Sequence, residues 1–295
     1  MIYTLTCNPA WDYAVYTDDI VVGETNRGCR EQLRFGGKGI NVSAVLTQLG
    51  VANVALGFVA GFMGQALETA VRAAGVRSDF IHLSQGQTRI NVKLKGACET
   101  EINAQGPDIS YDAVQTLYTQ LDALAQGDIL VLAGSVPRSL PSDFYQQIMA
   151  RLSGRGVQCA VDATGALLCD TLPYRPLVIK PNRRELEEIA GAALPDDEAV
   201  RAAAADLQAR GAQNVLVSLG GDGALLLDAQ GEVHRVAAHA ITAVNTVGAG
   251  DSMLAGFLAG LPQGAAYALA LGNAAGAATA ASTALATADE IKKWL

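Results

Sequence analysis

Apolar and polar positions along the chain fall into two kinds of segment. Short apolar runs of four to eight residues read as buried strands: 2–6, 52–59, 128–132, 158–162, 177–180, 214–218 and 224–227. Between them, apolar residues recur with helical spacing. Those stretches predict helices over 38–49, 63–74, 110–125, 142–152, 184–190, 197–210, 250–259 and 265–284. Gly75 and Ser110 sit where a helix stop and a helix cap are expected. Apolar strands alternating with amphipathic helices predict an α/β fold with a mostly parallel sheet covered on both faces.

Two regions break this rhythm. Residues 13–35 alternate loosely and are interrupted by polar turns. Short strands are expected at 80–83, 89–95 and 99–103, the last two forming a polar hairpin around Gly96. The polar strands, at about 12–35 and 88–104, are assigned to a small β lid over one edge of the site. No linker, repeat or low-complexity tract interrupts residues 1–295, so one domain with a lid is expected.

Composition narrows the function classes. Half of the residues are hydrophobic and the net charge is −8, which gives no basic footprint for nucleic acid. The five cysteines, Cys7, Cys29, Cys98, Cys159 and Cys169, form no CxxC pair or Cys/His cluster. A zinc site is not expected, and dispersed thiols fit a cytoplasmic protein. The start of the chain has no basic n-region, so no signal peptide is read there. The Ala-rich run 265–281 carries Gly272, Asn273 and Gly276 and reads as a buried helix rather than a membrane span. The glycine spacings 256/260 and 272/276 are expected to serve close helix packing.

The strongest chemical signal is Asn245-Thr246-Val247-Gly248-Ala249-Gly250-Asp251-Ser252-Met253, where a loop turns into an apolar helix. Gly248, Ala249 and Gly250 allow close backbone approach, and the first N–H groups of the helix make an anion site. Asp251 then stands beside the anion, placed to accept a proton from an alcohol attacking a phosphate. The plainer alternative is a helix start capped by Asp251.

Other segments fall at the carboxyl ends of strands, where doubly wound sheets bind ligands. Gly36-Gly37-Lys38-Gly39-Ile40-Asn41 offers a glycine turn, a cation and an amide at a helix N-terminus. Asp12 follows the first strand and could hold sugar hydroxyls. Arg89, Asn91 and Lys93 share one face of a strand and could clamp a phosphate. Ser135 and Arg138 follow a core strand and could touch the same substrate. Asn182 and Glu185 could hold Mg²⁺ through water, or could simply open a helix. Ser218, Gly220, Gly221 and Gly223 form either a hairpin turn or a glycine floor under a nucleotide. His82, His234 and His239 fall in no motif and are read as non-catalytic.

These segments, in this order over essentially the whole chain, resemble the ribokinase-like, or PfkB, carbohydrate kinases. The blocks at 36–41 and 245–253 resemble the two family signatures, with Asn245 where an Asp usually stands. Asn8-Pro9-Ala10-x-Asp12 and Thr88–Lys93 resemble the sugar-phosphate branch. The resemblance implies a three-layer ribokinase-like sandwich and ATP-dependent phosphorylation of a sugar phosphate. D-fructose 1-phosphate is the expected substrate; fructose 6-phosphate and tagatose 6-phosphate are the alternatives. It implies that Asp251 is the base and that Gly248, Ala249 and Gly250 form the anion hole. Asp12, Gly37, Lys38 and Asn41 would hold the sugar, and Arg89, Asn91, Lys93 and Arg138 its phosphate. Lys180, Asn182, Ser218, Gly220, Gly223 and Asn273, with Gly221 beside them, would line the nucleotide, and Glu185 would act on Mg²⁺. A homodimer paired through the lid is also implied. Trp11 is bulkier than the aliphatic residue expected beside Asp12 and stands where it could reshape the sugar pocket. Readings of other classes are a non-catalytic sugar-phosphate sensor and a dinucleotide oxidoreductase. The sensor has no use for Asp251, and the oxidoreductase lacks its G-x-G-x-x-G after the first strand.

Overall fold

The computed structural model describes residues 1–18 and 20–295; the part of the expected lid at Asp19 lies outside the described residues. The chain opens with β1 (Ile2–Thr6), β2 (Ala10–Tyr16), β3 (Arg30–Gly36), α1 (Lys38–Gln48), β4 (Asn53–Ala60) and α2 (Gly61–Ala73). Next come β5 (Ser78–Leu83), β6 (Arg89–Lys95), β7 (Glu99–Asn103), α3 (Tyr111–Asp122), β8 (Ile129–Ala133) and α4 (Phe144–Leu152). They are followed by β9 (Gln158–Asp162), α5 (Gly165–Cys169), β10 (Val178–Ile179), α6 (Arg183–Ala190) and α7 (Asp197–Ala209). The chain closes with β11 (Val215–Ser218), β12 (Ala224–Leu227), β13 (Val233–Val236), α8 (Ala249–Gly260), α9 (Ala265–Ala281) and α10 (Ala288–Lys292).

Nine strands form the main sheet in the order β13-β12-β11-β10-β9-β8-β1-β4-β5. It is parallel from β11 to β5, with antiparallel β12 and β13 at one edge. Alternate side chains of one strand serve opposite faces. Leu130 and Leu132 of β8 pack with Leu117 of α3 and Ile148 of α4, whereas Val131 and Ala133 pack with Val45 of α1 and Leu254 of α8. The result is the expected three-layer sandwich. β2, β3, β6 and β7 form a separate small sheet in the order β3-β2-β6-β7, within the region expected to be the lid.

α5, α10 and β13 are additions to the expected elements. α5 and α10 have five residues each, too short for a periodic signal. Thr287 and Glu290 nonetheless form a capping box at the start of α10, a readable signature. β13 alternates exposed and half-buried residues at the sheet edge, so it lacks the apolar run of a core strand.

α8 and α9 are apolar all round because they are buried against each other and against the sheet. Among the described residues, no helix is long and apolar enough to cross a membrane. The glycine spacings serve this intramolecular contact. A Cβ on Gly256 would stand 2.6 Å from the Leu271 carbonyl oxygen, and one on Gly272 2.8 Å from that of Met253. Backbone cannot yield there as a flexible side chain would. Gly256→Ala is therefore expected to lower unfolding stability by about 1–3 kcal/mol. Urea denaturation with an unchanged midpoint would contradict this packing.

Candidate active site

Two glycine turns bring two helix N-termini to the same side of the main sheet. Gly37 sits at φ 125°, and a Cβ on it would lie 2.7 Å from Thr6 Cγ2 at the end of β1. The Thr6 hydroxyl accepts the Ile40 backbone N–H at 3.1 Å, seating α1 on that strand end. Gly248 takes the left-handed conformation at φ 82° and opens α8; its carbonyl accepts the Ser252 N–H at 2.8 Å. The Asn245 side chain accepts the Val247 N–H at 3.3 Å and shapes the turn before it. Asn41 Nδ2 donates to Asp251 Oδ2 at 2.8 Å and ties the two helix starts together.

Asp162, the last residue of β9, lies fully buried beside them. Lys38 Nζ is 2.7 Å from its Oδ1, and Lys180 Nζ is 3.1 Å from its Oδ2. Burial opposes ionisation of Asp162, but the two ammonium groups outweigh it and hold the carboxyl below its usual range. Burial also works against the charge on Lys38, and the contact with Asp162 overrides it, raising Lys38 to about 12. Asp251 goes the other way. Burial, then the nearby negative charge of Asp162, pushes its carboxyl up to about 6.

Two cavities flank this cluster, one reaching Lys38 and Asn41 and the other Ala249 and Gly250. The smaller, of about 530 Å³, is lined by Asp12, Gly37, Lys38, Asn41 and Ser135, and by Arg89, Asn91 and Lys93 from one face of β6. Asp12 Oδ1 accepts Asn91 Nδ2 at 3.0 Å. The Arg89 guanidinium donates to the Asn8 and Ala104 carbonyls, and Lys93 pairs with Glu101 at 3.1 Å. Arg138 lies in an adjoining recess of about 150 Å³ that shares Asn8 and Arg89 with this cavity.

The position of Trp11 corrects the expectation that it could reshape the sugar pocket. Its ring is buried with Ile40, Val59 and Leu67, and its Nε1 donates to the Met63 carbonyl at 2.9 Å. Successive side chains of β2 alternate, so Asp12 facing the cavity sends Trp11 into the core.

The larger cavity, of about 890 Å³, is lined by Asn182, Ser218, Gly220, Gly221 and Asn273, and reaches Ala249 and Gly250. Asn273 Nδ2 donates to the Ala237 carbonyl at 3.0 Å. Lys180 and Gly223 do not line it. Lys180 stands between the cavities, its Nζ 3.1 Å from where a Cβ on Gly250 would be. Gly223 is a backbone requirement of the β11–β12 turn: at φ 100°, its Cβ would meet the Val236 carbonyl oxygen at 2.2 Å. Asn182 and Glu185 form a capping box at the start of α6, and Glu185 also lines the smaller cavity.

Asp162 has no place in the sequence reading, and His239 is read there as non-catalytic. The signal for Asp162 was a charged residue ending an apolar strand at its carboxyl end, where ligands bind. His239 lines the larger cavity with its ring 5.4 Å from that of Trp294; it lies in an aperiodic loop with no signal to read.

The raised Asp251 pKa carries a stability cost. The folded protein holds this proton up to about pH 6, whereas an unfolded aspartate loses it near the ordinary aspartate value of 3.8. The protonated form's contribution to stability is thus complete below about pH 4 and lost as pH rises through 6. Asp251→Asn should be more stable than the parent chain above pH 6, by up to about 3 kcal/mol. Denaturant titrations at pH 4 and 8 check this: the gap should appear only at the higher pH.

Comparison with known proteins agrees with this arrangement. The model of the pfkB family of carbohydrate kinases matches residues 6–292. A 1-phosphofructokinase of Bacillus subtilis is 44% identical over 260 residues, covering 88% of this chain and 85% of the relative. A D-tagatose-1-phosphate kinase of Bacillus licheniformis is 37% identical over 260 residues, covering 88% and 84%. The structure of phosphofructokinase-2 from Escherichia coli, in complex with substrates and products, superposes with a TM-score of 0.93 at 28% identity, covering 99% of this chain and 97% of that one. With a family match along nearly all of its length, the chain belongs to the PfkB family of carbohydrate kinases.

Proposed function

We propose that this protein transfers the γ-phosphoryl group of ATP to the 6-hydroxyl of D-fructose 1-phosphate, giving fructose 1,6-bisphosphate and ADP. The observation that carries the reading is a pair of cavities on either side of the start of α8, one reaching Ala249 and Gly250 and the other Asn41, whose amide donates to Asp251. The larger cavity takes ATP and the smaller the sugar phosphate. Two of the relatives are named for ketohexose 1-phosphates, which share a free 6-hydroxyl and differ in configuration at C4. That favours a phosphate at C1 over the 6-phosphate alternatives.

In the reaction, Asp251 accepts the proton of the 6-hydroxyl as its oxygen bonds to the γ-phosphorus. The bond from that phosphorus to the β–γ bridging oxygen breaks, and ADP leaves with the bridging oxygen. Asn41 holds the base in place through its 2.8 Å bond. The backbone N–H groups at the start of α8 and the Lys180 ammonium beside Gly250 stabilise the charge that develops on the transferring group. Arg89, Lys93 and Arg138 bind the resident phosphate, and Asp12 and Asn91 the sugar hydroxyls.

Mg²⁺ fits the residues present. One Glu185 oxygen accepts the Asn182 N–H at 2.9 Å, and the other accepts no hydrogen bond from the described residues. A single carboxylate oxygen beside nucleotide phosphates is the kind of donor set Mg²⁺ uses, with water completing its shell. When bound there, the ion would neutralise phosphate charge.

The small sheet is turned inside out for a surface element, which supports a homodimer. Lys93 on its cavity face is 9% exposed, whereas Leu33, Ile90 and Ile102 on its outer face are 53, 36 and 58% exposed. A second copy covering that face with its own small sheet would remove them from water. Dispersed cysteines without a partner are consistent with a cytoplasmic protein.

Four outcomes test these readings. Asp251→Asn should lower kcat at least about 10²–10⁴-fold while ADP still binds; near-normal turnover would remove Asp251 from the role of base. Because the base works ionised, kcat/KM should fall as pH drops below about 6. ADP release with fructose 1-phosphate should exceed that with fructose 6-phosphate or tagatose 6-phosphate, and binding without turnover would favour a sensor. Light scattering on Leu33→Glu/Ile102→Glu should show half the parent mass, whereas an unchanged mass would place the contact elsewhere.

A further inference from the structure

The cavity face of the small sheet continues beyond the proposed sugar site. A groove of about 300 Å³ runs between it and the segments around Asn245 and Thr283. Four of its lining side chains are cations, Arg30 and Arg34 from β3 and Lys93 and Lys95 from β6, against a single acid, Asp12. This is a concentration of positive charge in a chain of net charge −8. Lys93 and Lys95 pair with Glu101 and Glu99 of β7, at 3.1 and 3.2 Å. The two arginines are held by neutral groups instead. Arg34 Nη2 donates to Gln32 Oε1 at 3.0 Å, and the Tyr16 hydroxyl donates to the same oxygen at 3.2 Å. The Arg30 guanidinium lies over the Tyr16 ring, 5.0 Å from its centroid. Among the described residues, neither arginine meets a carboxylate at ion-pair distance. Their charge is positioned but not neutralised.

The sheet register sets the spacing. Asp12 lies opposite Arg34, Ala14 opposite Lys93, and Tyr16 opposite both Arg30 and Lys95. Four residues of strand put the Tyr16 row about 13 Å from the Asp12 row. A hexose monophosphate whose hydroxyls sit on Asp12 does not reach that far. One anion between Arg34 and Lys93 and a second between Arg30 and Lys95 would stand roughly 7–10 Å apart. Val244, Val247 and Leu285 line the groove as well, and give apolar contact for the carbons between two such anions.

We infer that this groove is a binding site for a small sugar bisphosphate, separate from the transfer site but sharing Asp12, Asn41 and Lys93 with its rim. Occupancy draws Lys93 away from the acceptor's phosphate. A bisphosphate bound here therefore weakens binding of the acceptor sugar phosphate without entering the transfer site.

The test uses the full chain and fructose 1,6-bisphosphate as the probe. Calorimetric titration of the parent protein is compared with Arg30→Ala/Lys95→Ala, neither residue belonging to the proposed catalytic or substrate set. Charge-assisted contacts to two phosphates predict a loss of at least about tenfold in affinity at one site. The variant should keep kcat and the KM for fructose 1-phosphate within about twofold, and inhibition by the bisphosphate should weaken. Equal titrations of parent and variant would overturn the inference. So would a parallel rise in KM, which would make the groove part of the substrate site, or a change in oligomeric mass, which would make it a contact between copies. Because calorimetry needs no turnover, absence of kinase activity would remove the proposed reaction and leave this result standing.

Discussion

The Asp162 carboxylate, buried between the Lys38 and Lys180 ammonium groups, is the contact on which the site depends. An isolated carboxylate at that depth would cost several kcal/mol in lost hydration. Two cations offset the cost, and each comes from a different place: Lys38 from the start of α1, Lys180 from the end of β10. The charge cluster thus ties the start of α1 to the ends of β9 and β10. It also sets the state of Asp251. One carboxylate is held ionised by cations, while its neighbour is pushed towards neutrality by burial and by the first. Environments that separate two carboxylates in this way mark an acid–base site.

The fold supplies the cluster through ordinary packing. Parallel strands end on one side, so β1, β8, β9 and β10 deliver Thr6, Gly134, Asp162 and Lys180 to a common edge. Gly134 is pinned from two directions, by its N–H to the Asp162 carbonyl and by the buried Tyr145 hydroxyl on its own carbonyl. Gly37 and Gly248 then turn the chain into helices without a side chain in the way. The close glycine contacts between α8 and α9 fix the axis of α8, and with it the direction in which its first N–H groups point.

Much of this was legible in the sequence because it follows from period and punctuation. The apolar runs matched β1, β9 and β12 to the residue, and β12 is stopped on both sides, by Gly223 and Asp228. The alternation Arg89-Ile90-Asn91-Val92-Lys93 gave one polar face on β6. Residues at helix starts and strand ends were found because glycines mark them. Asp162 was missed because a single aspartate at a strand end looks the same whether it faces solvent or two lysines from distant parts of the chain. Gly223 was placed under a nucleotide because a glycine in a turn does not reveal whether ligand or backbone requires it. Trp11 is expected to bear on the pocket only because it adjoins Asp12, whereas adjacent strand residues face opposite ways.

The small sheet carries its chemistry on one face and its exposed apolar surface on the other, at alternate positions of the same strand. Point substitutions can therefore change the cavity lining at Arg89, Asn91 or Lys93 and leave Ile90, Val92 and Leu94 unaltered. A length change is different in kind. One residue gained or lost in the connection before β6 would exchange the two sets together, turning the cations outward and the aliphatic side chains towards the cavity. The connections into this sheet are therefore predicted to vary in composition far more freely than in length as related chains diverge.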